Sequence, residues 1–412
     1  MAMTSPLISK RLAFHIGGYD PYMPPEVSYR RFARELQRFE GTWSAKATLS
    51  SPAIAADKVT WDITTTGPNW RVETRYCLVR WDDIIGSFAR RPWWVRIVLG
   101  QLAGADFATS GALWGYFRTN WRYALFFIYP FAMFDAFAVI AWFVGDFFAA
   151  ASGSLWIGIA AGLLMGAALM KWPWRWLGLA TLFDDWIFSS SYVRSGHPVL
   201  EQRLDVIARE IDAAARRSDA DEILVVGHSL GAAIAADLLD RVLTLNPSIG
   251  QNGPRAAFLS VGSSILKIGL HRGAKRFRAS LQRVAAAPGI FWAEYQALTD
   301  VMNFYKTNPM SEMGLTAAGR PVVRIVRIRS MLDPASYRRI RRNFYRVHSQ
   351  FVSGNERRTA YDYFMLICGP FSAERQVKLP NGAASAIDGS GALIDAASDK
   401  DSARESEWVD RR

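Results

Sequence analysis

The sequence predicts an α/β protein: a mostly parallel sheet with helices on both faces, interrupted by an inserted pair of apolar helices. Two patterns predict it. Short β-branched or aromatic runs alternate with amphipathic helical patterns in both flanking parts, which is typical of a sheet covered on two faces. Between those parts, residues 123–170 carry the longest apolar stretches of the 412-residue chain.

The first part of the predicted core is residues 1–81. An apolar run at 11–16 ends in Gly17-Gly18, which predicts a strand followed by a tight turn. Residues 28–39 have apolar positions at helical spacing, so we expect an amphipathic helix there. Residues 59–65 and 72–81 are β-branched or aromatic runs that predict two further strands.

Residues 82–196 form the predicted insertion, which is helical and rich in Trp and Arg. Its two apolar stretches, 123–145 and 154–170, are each close to the roughly 20 residues that span a bilayer. The second contains no charged residue and many Gly and Ala, a composition that suits close helix packing in lipid. Asp135 lies within the first stretch, where a carboxylate costs at least about 2.5 kcal/mol at mid-membrane.

The charges around the two stretches predict their orientation. Arg118 and Arg122 precede the first stretch, Lys171 and Arg175 follow the second, and the connection 146–154 has no Lys or Arg. Because positive residues stay on the cytoplasmic side, we expect a transmembrane hairpin whose two ends are cytoplasmic. We therefore expect a bacterial inner-membrane protein with its α/β core in the cytoplasm. The alternative is two buried helices of a soluble core.

The composition limits the classes of binding partner and cofactor that this chain is expected to have. The formal net charge is +12 and half of the residues are hydrophobic. A basic balance fits an anionic membrane or nucleic acid, and no zinc-finger or RNA-binding signature is present, so we predict membrane lipid and no nucleic acid. Cys77 and Cys368 lie in no CxxC motif and are predicted to be core thiols. No metal-ligand or phosphate-loop motif is found, so we predict no metal and no cofactor; the oligomeric state is left open.

The second part of the predicted core is residues 197–375, where strands and helices alternate again. The predicted strands and helices here are 198–217 (helix), 222–226 (strand), 230–245 (helix), and 256–261, 289–295 and 322–328 (strands). Residues 376–412 are poor in large apolar side chains, which predicts a flexible tail.

The motif Gly227-His228-Ser229-Leu230-Gly231 lies between the apolar strand at 222–226 and an Ala-rich helix. A serine on a sharp strand-to-helix turn has its hydroxyl exposed above the edge of the sheet. Such a turn needs unusual backbone angles and crowds the residues two before and two after, and glycine relieves both problems. We therefore predict that Ser229 is a nucleophile.

In this GHSLG motif and its setting the chain resembles the α/β-hydrolase superfamily, in particular its lipase- and esterase-like members. The resemblance covers roughly residues 11–81 and 197–370. It implies a catalytic triad in the chain order nucleophile, acid, histidine, each following a strand. It also implies that His228 packs beside Ser229 and is not the base.

The resemblance implies roles for two further residues. His348 follows the last predicted strand and takes the place of the base, whereas His271 comes too early in the chain order. Asp300 follows the strand before the last and takes the place of the acid that orients His348. Asp333 and Glu294 remain alternatives for the acid.

The oxyanion hole implied by the resemblance needs two backbone N–H donors. One is the amide of Leu230, directly after the nucleophile. The other comes from the Gly turn after the first strand, where Gly18 and Tyr19 are the candidates.

Together these features predict a membrane-anchored serine hydrolase that cleaves acyl esters through an acyl-enzyme. The insertion leaves the core after Trp81, at the carboxyl end of a predicted strand, and in parallel sheets that edge carries the active site. We therefore expect a lipid-like or apolar ester as substrate. The alternatives are an acyltransferase or peptidase on the same triad, or a membrane scaffold built on a hydrolase fold without catalysis.

Overall fold

The computed structural model describes residues 7–171, 173–316 and 319–394. The strands are β1 (Lys10–Ile16), β2 (Lys46–Leu49), β3 (Ala53–Ile54), β4 (Lys58–Thr66), β5 (Arg71–Val79), β6 (Glu222–His228), β7 (Arg255–Val261), β8 (Ile290–Ala297), β9 (Val322–Val326) and β10 (Pro380–Ala383). Strands β1 to β9 form one sheet in the order β2-β4-β5-β1-β6-β7-β8-β9, and β3 also pairs with β4.

Helices cover the sheet and form the insertion. Those before β6 are α1 (Pro25–Trp43), α2 (Asp82–Ala89), α3 (Trp93–Thr109), α4 (Ala112–Ser152), α5 (Leu155–Lys171), α6 (Pro173–Trp176), α7 (Leu179–Arg194) and α8 (Pro198–Arg217). Those after it are α9 (Gly231–Leu245), α10 (Ile265–Gly269), α11 (Lys275–Ala286), α12 (Pro309–Glu312), α13 (Ile328–Met331), α14 (Pro334–Ile340), α15 (Phe344–Ser349), α16 (Tyr363–Cys368) and α17 (Ala373–Lys378).

Six neighbouring strands run parallel, from β5 through β1, β6, β7 and β8 to β9. The central strand β6 shows why both faces are covered. Ile223 and Val225 belong to an apolar cluster on one face, and Leu224 and Val226 belong to a second cluster on the other. A strand buried on both faces is a continuous apolar run, which is what the sequence has at these positions.

The mixed α/β fold with a mostly parallel sheet is confirmed, and most element bounds agree with the sequence prediction within a few residues. The antiparallel edge is the main difference. Strands β2 and β3 pair with β4 and had not been predicted. They are short and partly exposed, so they lack the apolar run by which the other strands were found.

The insertion contains one helix, α4, that is long and apolar enough to cross a membrane among the residues that the structure describes. Of its most apolar 18-residue window, 28% is buried. The backbone leaves helical geometry at Asn120 (φ −155°, ψ 94°), just before the apolar stretch begins. Helix α5 is apolar but shorter, with 17 residues.

Helices α4 and α5 pack closely through glycines. A Cβ added at Gly158 would lie 2.6 Å from the carbonyl oxygen of Gly145, and one added at Gly162 would lie 3.0 Å from that of Ala141. A side chain at Gly158 would therefore force the two helices apart, and one at Gly162 would make a tight contact, as in the small-residue contacts of helices packed in lipid.

The part of the insertion nearest the sheet shares the core of the sheet. Phe107, Tyr116, Trp186 and Phe188 are buried in the same apolar cluster as the residues of α8 and α9. Trp81, where the insertion begins, donates from its indole Nε1 to the carbonyl oxygen of Gly17 at 3.1 Å. The insertion is therefore fixed to the turn that follows β1.

The predicted tail at 376–412 is wrong in its first part. The end of helix α17 and the whole of strand β10 lie within it, and Ala383 and Ile387 are buried in the second apolar cluster. Trp70 Nε1 donates to the carbonyl oxygen of Gly391 at 2.8 Å. Small residues that pack against neighbours fixed elsewhere give no periodic signal, so composition alone misled the prediction. The rest of the tail prediction, from 395 onward, lies outside the described residues.

The two cysteines are buried and free, as predicted for core thiols. Burial raises the pKa of Cys368 to about 12 and raises that of Cys77 as well. Both thiols therefore stay protonated at neutral pH, which leaves neither of them as a nucleophile.

Candidate active site

Ser229 lies on a sharp turn between β6 and α9. Its φ is 56°, in the left-handed region that residues other than glycine rarely adopt. The amide of Ser229 donates to the carbonyl oxygen of Val261 at 3.2 Å, and its carbonyl oxygen accepts from the amide of Ser264 at 3.1 Å. Bonds to the neighbouring strand thus hold the strained residue in place.

The two glycines of the motif are needed for the close approach of backbones. A Cβ at Gly227 would lie 2.3 Å from Ala232 Cα, and one at Gly231 would lie 2.2 Å from the carbonyl oxygen of Ile16. No real Cβ fits at these distances. The spacing of the motif therefore follows from the way α9 starts directly against β6 and the end of β1.

His348 and Asp300 form a hydrogen-bonded pair. His348 lies in α15, Asp300 lies three residues after β8, and His348 Nδ1 is 2.7 Å from Asp300 Oδ2. Both side chains are buried. The other carboxylate oxygen of Asp300 accepts from the amide of Met302 at 2.9 Å, which fixes the orientation of the carboxylate.

Ser229 and His348 line the same cavity. A Cβ at Gly262, which follows β7 beside Ser229, would lie 3.2 Å from His348 Cε1, so the imidazole lies against this turn. His348 Nε2 is buried and has no hydrogen-bond partner among the described residues. Within the described residues the Ser229 hydroxyl donates no hydrogen bond either. His348 Nε2 is therefore available as a proton acceptor.

The Gly17-Gly18 turn after β1 lies directly against the serine. A Cβ at Gly18 would be 2.8 Å from Ser229 Cβ and 3.4 Å from Ser229 Oγ. Within the described residues the amides of Gly18, Tyr19 and Leu230 donate to no backbone carbonyl oxygen. The structure thus brings together the three residues predicted for the oxyanion hole around Ser229.

The alternative base and acids lie apart from this pair. His271 Nε2 is 3.3 Å from Asp106 of the insertion. Asp333 precedes α14, is 61% exposed in its side chain, and pairs with Arg357 at 3.2 Å. Glu294 is buried within β8, where it accepts from the hydroxyl of Ser260.

His228 fits the position that the resemblance implies for it. Its ring lies beside that of His348, with centroids 4.6 Å apart, and its Nε2 is 3.3 Å from the carbonyl oxygen of His348. Burial, together with the nearby His348, holds the pKa of His228 well below its usual range. The neutral ring packs against that of His348 without placing a positive charge beside it.

The cavity has a volume of about 450 Å³, which is within the range of small-molecule sites. Aromatic and aliphatic side chains form much of its wall, including Trp61, Trp81, Ile85 and Val352. Trp176 of the insertion also lines it and is 87% exposed. The cavity therefore extends from Ser229 to the short helix that follows α5.

Several polar residues of the cavity were not predicted, among them His15, Arg31 and Tyr363. Tyr363 Oη is 3.0 Å from His15 Nδ1 and 2.8 Å from Tyr76 Oη. Burial and the charge of Arg31 lower the pKa of His15 to about 3, so this ring is neutral. His15 could have been predicted as a site residue, because it is a polar residue near the end of an apolar strand. Arg31 could not, because it is one of several arginines in α1 and nothing in the sequence distinguishes it.

The buried carboxyl group of Glu294 in β8 is predicted to make the stability of the protein depend on pH. Burial raises its pKa to about 8, from 4.5 for a free side chain. Folded Glu294 keeps its proton between those values while the unfolded chain loses it, so stability falls as pH rises from 4.5 to 8. We expect Glu294→Gln to raise the melting temperature by several degrees at pH 8 and by much less at pH 5.

Thermal unfolding at the two pH values measures this effect. Glu73→Gln is the matched control, because Glu73 is exposed in β5 and pairs only with Arg71 in the described part of the chain. A Glu294→Gln variant whose melting temperature changed equally at both pH values would contradict the protonated state assigned to Glu294.

Among the residues that the structure describes, no group of three or more His, Cys, Asp or Glu is arranged to hold a metal ion. Comparison with protein-family models, with curated proteins and with solved structures finds no match to this chain. The chemistry of the cavity is therefore inferred from its own residues.

Proposed function

We propose that this protein is a membrane-anchored serine hydrolase of the α/β-hydrolase type, which cleaves acyl esters of lipid-like or apolar molecules. One observation carries the proposal. Ser229, at φ 56° on a strand-to-helix turn, shares a cavity with His348, whose Nδ1 is bonded to Asp300 and whose Nε2 has no partner among the described residues.

The chain order supports the family assignment. Ser229 follows β6, Asp300 follows β8 and His348 follows β9. Because β6, β8 and β9 run parallel, their carboxyl ends lie at one edge of the sheet, where ligands bind in such folds. This is the order nucleophile, acid, base that the resemblance to α/β-hydrolases implies.

The proposed reaction uses the geometry as follows. His348 Nε2 accepts the proton of the Ser229 hydroxyl as Oγ attacks the ester carbonyl, and Asp300 stabilises the imidazolium that forms. The amide of Leu230, with that of Gly18 or Tyr19, donates to the developing oxyanion, and one such donor contributes about 3 kcal/mol. The imidazolium then gives its proton to the departing alcohol, and water releases the acyl group by the same steps.

The exposed apolar surface of α4 and α5 supports the membrane anchor. Exposed aromatic side chains in the apolar parts of these helices include Trp142, Phe143, Phe147, Phe148 and Trp156. Leaving so large an apolar surface in water is unfavourable by about 25 cal/mol per Å², and contiguous patches of this kind mark interaction sites. We propose that α5 and the apolar part of α4 form a hairpin in the bilayer.

The base of the proposed hairpin has the residues of a membrane interface. Trp114 and Trp121 are exposed near the start of α4, close in sequence to Arg118 and Arg122. Trp prefers the interface, and cations attract anionic headgroups. Helix α5, with 17 residues, spans about 26 Å against a hydrocarbon core of about 30 Å, so residues flanking it would complete the crossing.

The cavity supports an apolar substrate that arrives from the bilayer. Its wall is rich in aromatic side chains, and Trp176 places its rim directly after the second helix of the proposed hairpin. We propose that a long acyl chain enters the cavity from the lipid at this rim.

One experiment tests both parts of the proposal. Cells that express the full chain are broken, and their membranes are washed with alkaline carbonate and treated with a fluorescent fluorophosphonate, which labels activated serines. We expect one labelled band in the washed membranes, at the mass of the 412-residue chain. After detergent extraction we expect the protein to hydrolyse esters in preference to matched amides.

The possible negative results distinguish the membrane anchor from the hydrolase activity. A labelled band in the soluble fraction would contradict the anchor and leave the hydrolase intact. The absence of a label, with no turnover of ester or amide, would favour the non-catalytic scaffold. Ser349→Ala is a matched control for the label, because Ser349 also lines the cavity and should not react.

A further inference from the structure

A small side pocket lies next to Ser229, between the sheet and the insertion. Its volume is about 20 Å³, enough for one water-sized group. It is lined by Ser229, Leu230, Asp185 of α7, Lys267 of α10, Tyr19 and Tyr345, together with Thr181, Ser264 and the apolar side chains of Tyr123, Phe126, Leu182 and Met302. Ser229, Tyr19 and Tyr345 also line the main cavity, so a molecule bound at the serine has access to both spaces.

Three buried polar atoms of these residues have no hydrogen-bond partner among the described residues: Tyr19 Oη, Asp185 Oδ1 and Tyr345 Oη. Buried polar atoms are almost always paired, and an unpaired cluster at a cavity indicates a missing partner. Burial raises the pKa of both tyrosines far above neutrality, so their hydroxyls keep their protons.

The charges of the pocket balance one another. Lys267 Nζ donates to Asp185 Oδ2 at 2.6 Å and lies 4.0 Å from the ring centroid of Trp186. The carboxylate of Asp185 is therefore neutralised by Lys267, although its Oδ1 still lacks a donor. A neutral ligand fits this pocket better than an ion.

The donors and acceptors define the ligand further. Asp185 Oδ1 accepts only, so the group in the pocket must donate a proton to it. The phenols of Tyr19 and Tyr345 can donate, so the same group should also accept. A hydroxyl does both, whereas an ester carbonyl cannot donate and an ammonium cannot accept. The oxyanion of the reaction would leave Asp185 Oδ1 unpaired and is excluded for the same reason.

We propose that the side pocket binds a hydroxyl group that the substrate carries close to its scissile ester. The inference rests on the proposed hydrolase activity and names its substrate class: hydroxylated acyl esters. The hydroxyl has two possible sources, the alcohol part of the ester, as in a glycerol monoester, or the acyl chain, as in a 3-hydroxyacyl ester. A water molecule alone in the pocket is the competing occupant.

Matched esters distinguish these cases. The detergent-extracted full chain is assayed with propyl octanoate, 1-octanoylglycerol and propyl 3-hydroxyoctanoate. We expect kcat/KM to be at least about tenfold higher for one of the two hydroxylated esters, because a site built to bond a hydroxyl rejects the analogue that lacks it. The preferred ester identifies the source of the hydroxyl.

Variants connect the preference to the pocket. Tyr345→Phe and Tyr19→Phe each remove one hydroxyl and keep the ring, and we expect each to reduce the ratio of kcat/KM between the preferred ester and propyl octanoate. Because both kcat/KM values are measured on the same variant, their ratio does not change when the variant loses activity toward all esters equally. Tyr337→Phe is the control and should keep the ratio, because Tyr337 packs in the second apolar cluster, away from the pocket.

Equal kcat/KM for the three esters would mean that water alone fills the pocket, and the inference would be wrong while the hydrolase remains. A preference that both Tyr→Phe variants retain would also overturn it, since another part of the cavity would then recognise the hydroxyl. If no ester is hydrolysed and no serine is labelled, the proposed function fails and the inference fails with it.

Discussion

Ser229→Ala is expected to lower kcat for ester hydrolysis by about 10⁶-fold, the largest effect of any single substitution proposed for this chain. The methyl group of alanine cannot attack a carbonyl, so no acyl-enzyme forms at this position. The residual rate should still exceed that of water by about 10³-fold, because the oxyanion donors and the cavity remain.

Steady-state kinetics on an octanoyl ester and fluorophosphonate labelling measure this effect together. Alanine at a position with φ 56° adds no bulk beyond serine, so the fold should persist, and circular dichroism checks it. Ser349→Ala is again the comparison, since it removes a hydroxyl from the same cavity. A Ser229→Ala protein that kept wild-type kcat would refute the proposed nucleophile.

Asp300→Asn is expected to lower kcat by about 10⁴-fold at neutral pH. Asp300 Oδ2 lies 2.7 Å from His348 Nδ1 and requires that nitrogen to carry the proton, which leaves Nε2 unprotonated to accept from Ser229. An asparagine can present its NH₂ group to Nδ1 instead. The imidazole then carries its proton on Nε2, in the wrong tautomer for a base.

Asp333→Asn is the matched control for Asp300→Asn. Asp333 is exposed and pairs with Arg357, so the same change should leave kcat at its wild-type value. Melting temperatures of both variants show whether any loss is one of folding. The reverse result, a loss with Asp333→Asn and none with Asp300→Asn, would move the acid to Asp333 and require a different placement of α15, which carries His348.

Local patterns were enough to predict much of the fold. The strand, turn and helix around Ser229 are encoded within about 25 consecutive residues, from the apolar run of β6 to the end of α9. The glycines at 227 and 231 are explained by the same short segment together with the end of β1. Periodicity likewise located α1, α8 and the two apolar helices of the insertion.

Partners that are distant in the chain were harder to predict. Asp300 and Asp333 both precede His348 and both follow predicted strands or turns, so chain order alone did not separate them. Their distinction depends on where the loops after β8 and β9 fold back, which is decided by packing between residues far apart in the sequence. For the same reason the packed segment 380–394 was taken for part of a flexible tail.

The sequence by itself determined the central sheet, the apolar insertion and the strained turn at Ser229, because each follows from the periodicity and steric needs of neighbouring residues. Tertiary structure alone decided that Asp300 meets His348, that His15 and Arg31 line the cavity, and that Asp185 and Lys267 of separate helices form a polar pocket beside the serine. The physical reason is that hydrogen bonds and burial depend on distance in space, and only the folded chain brings side chains from β1, the insertion and the last third of the sequence to one edge of the sheet.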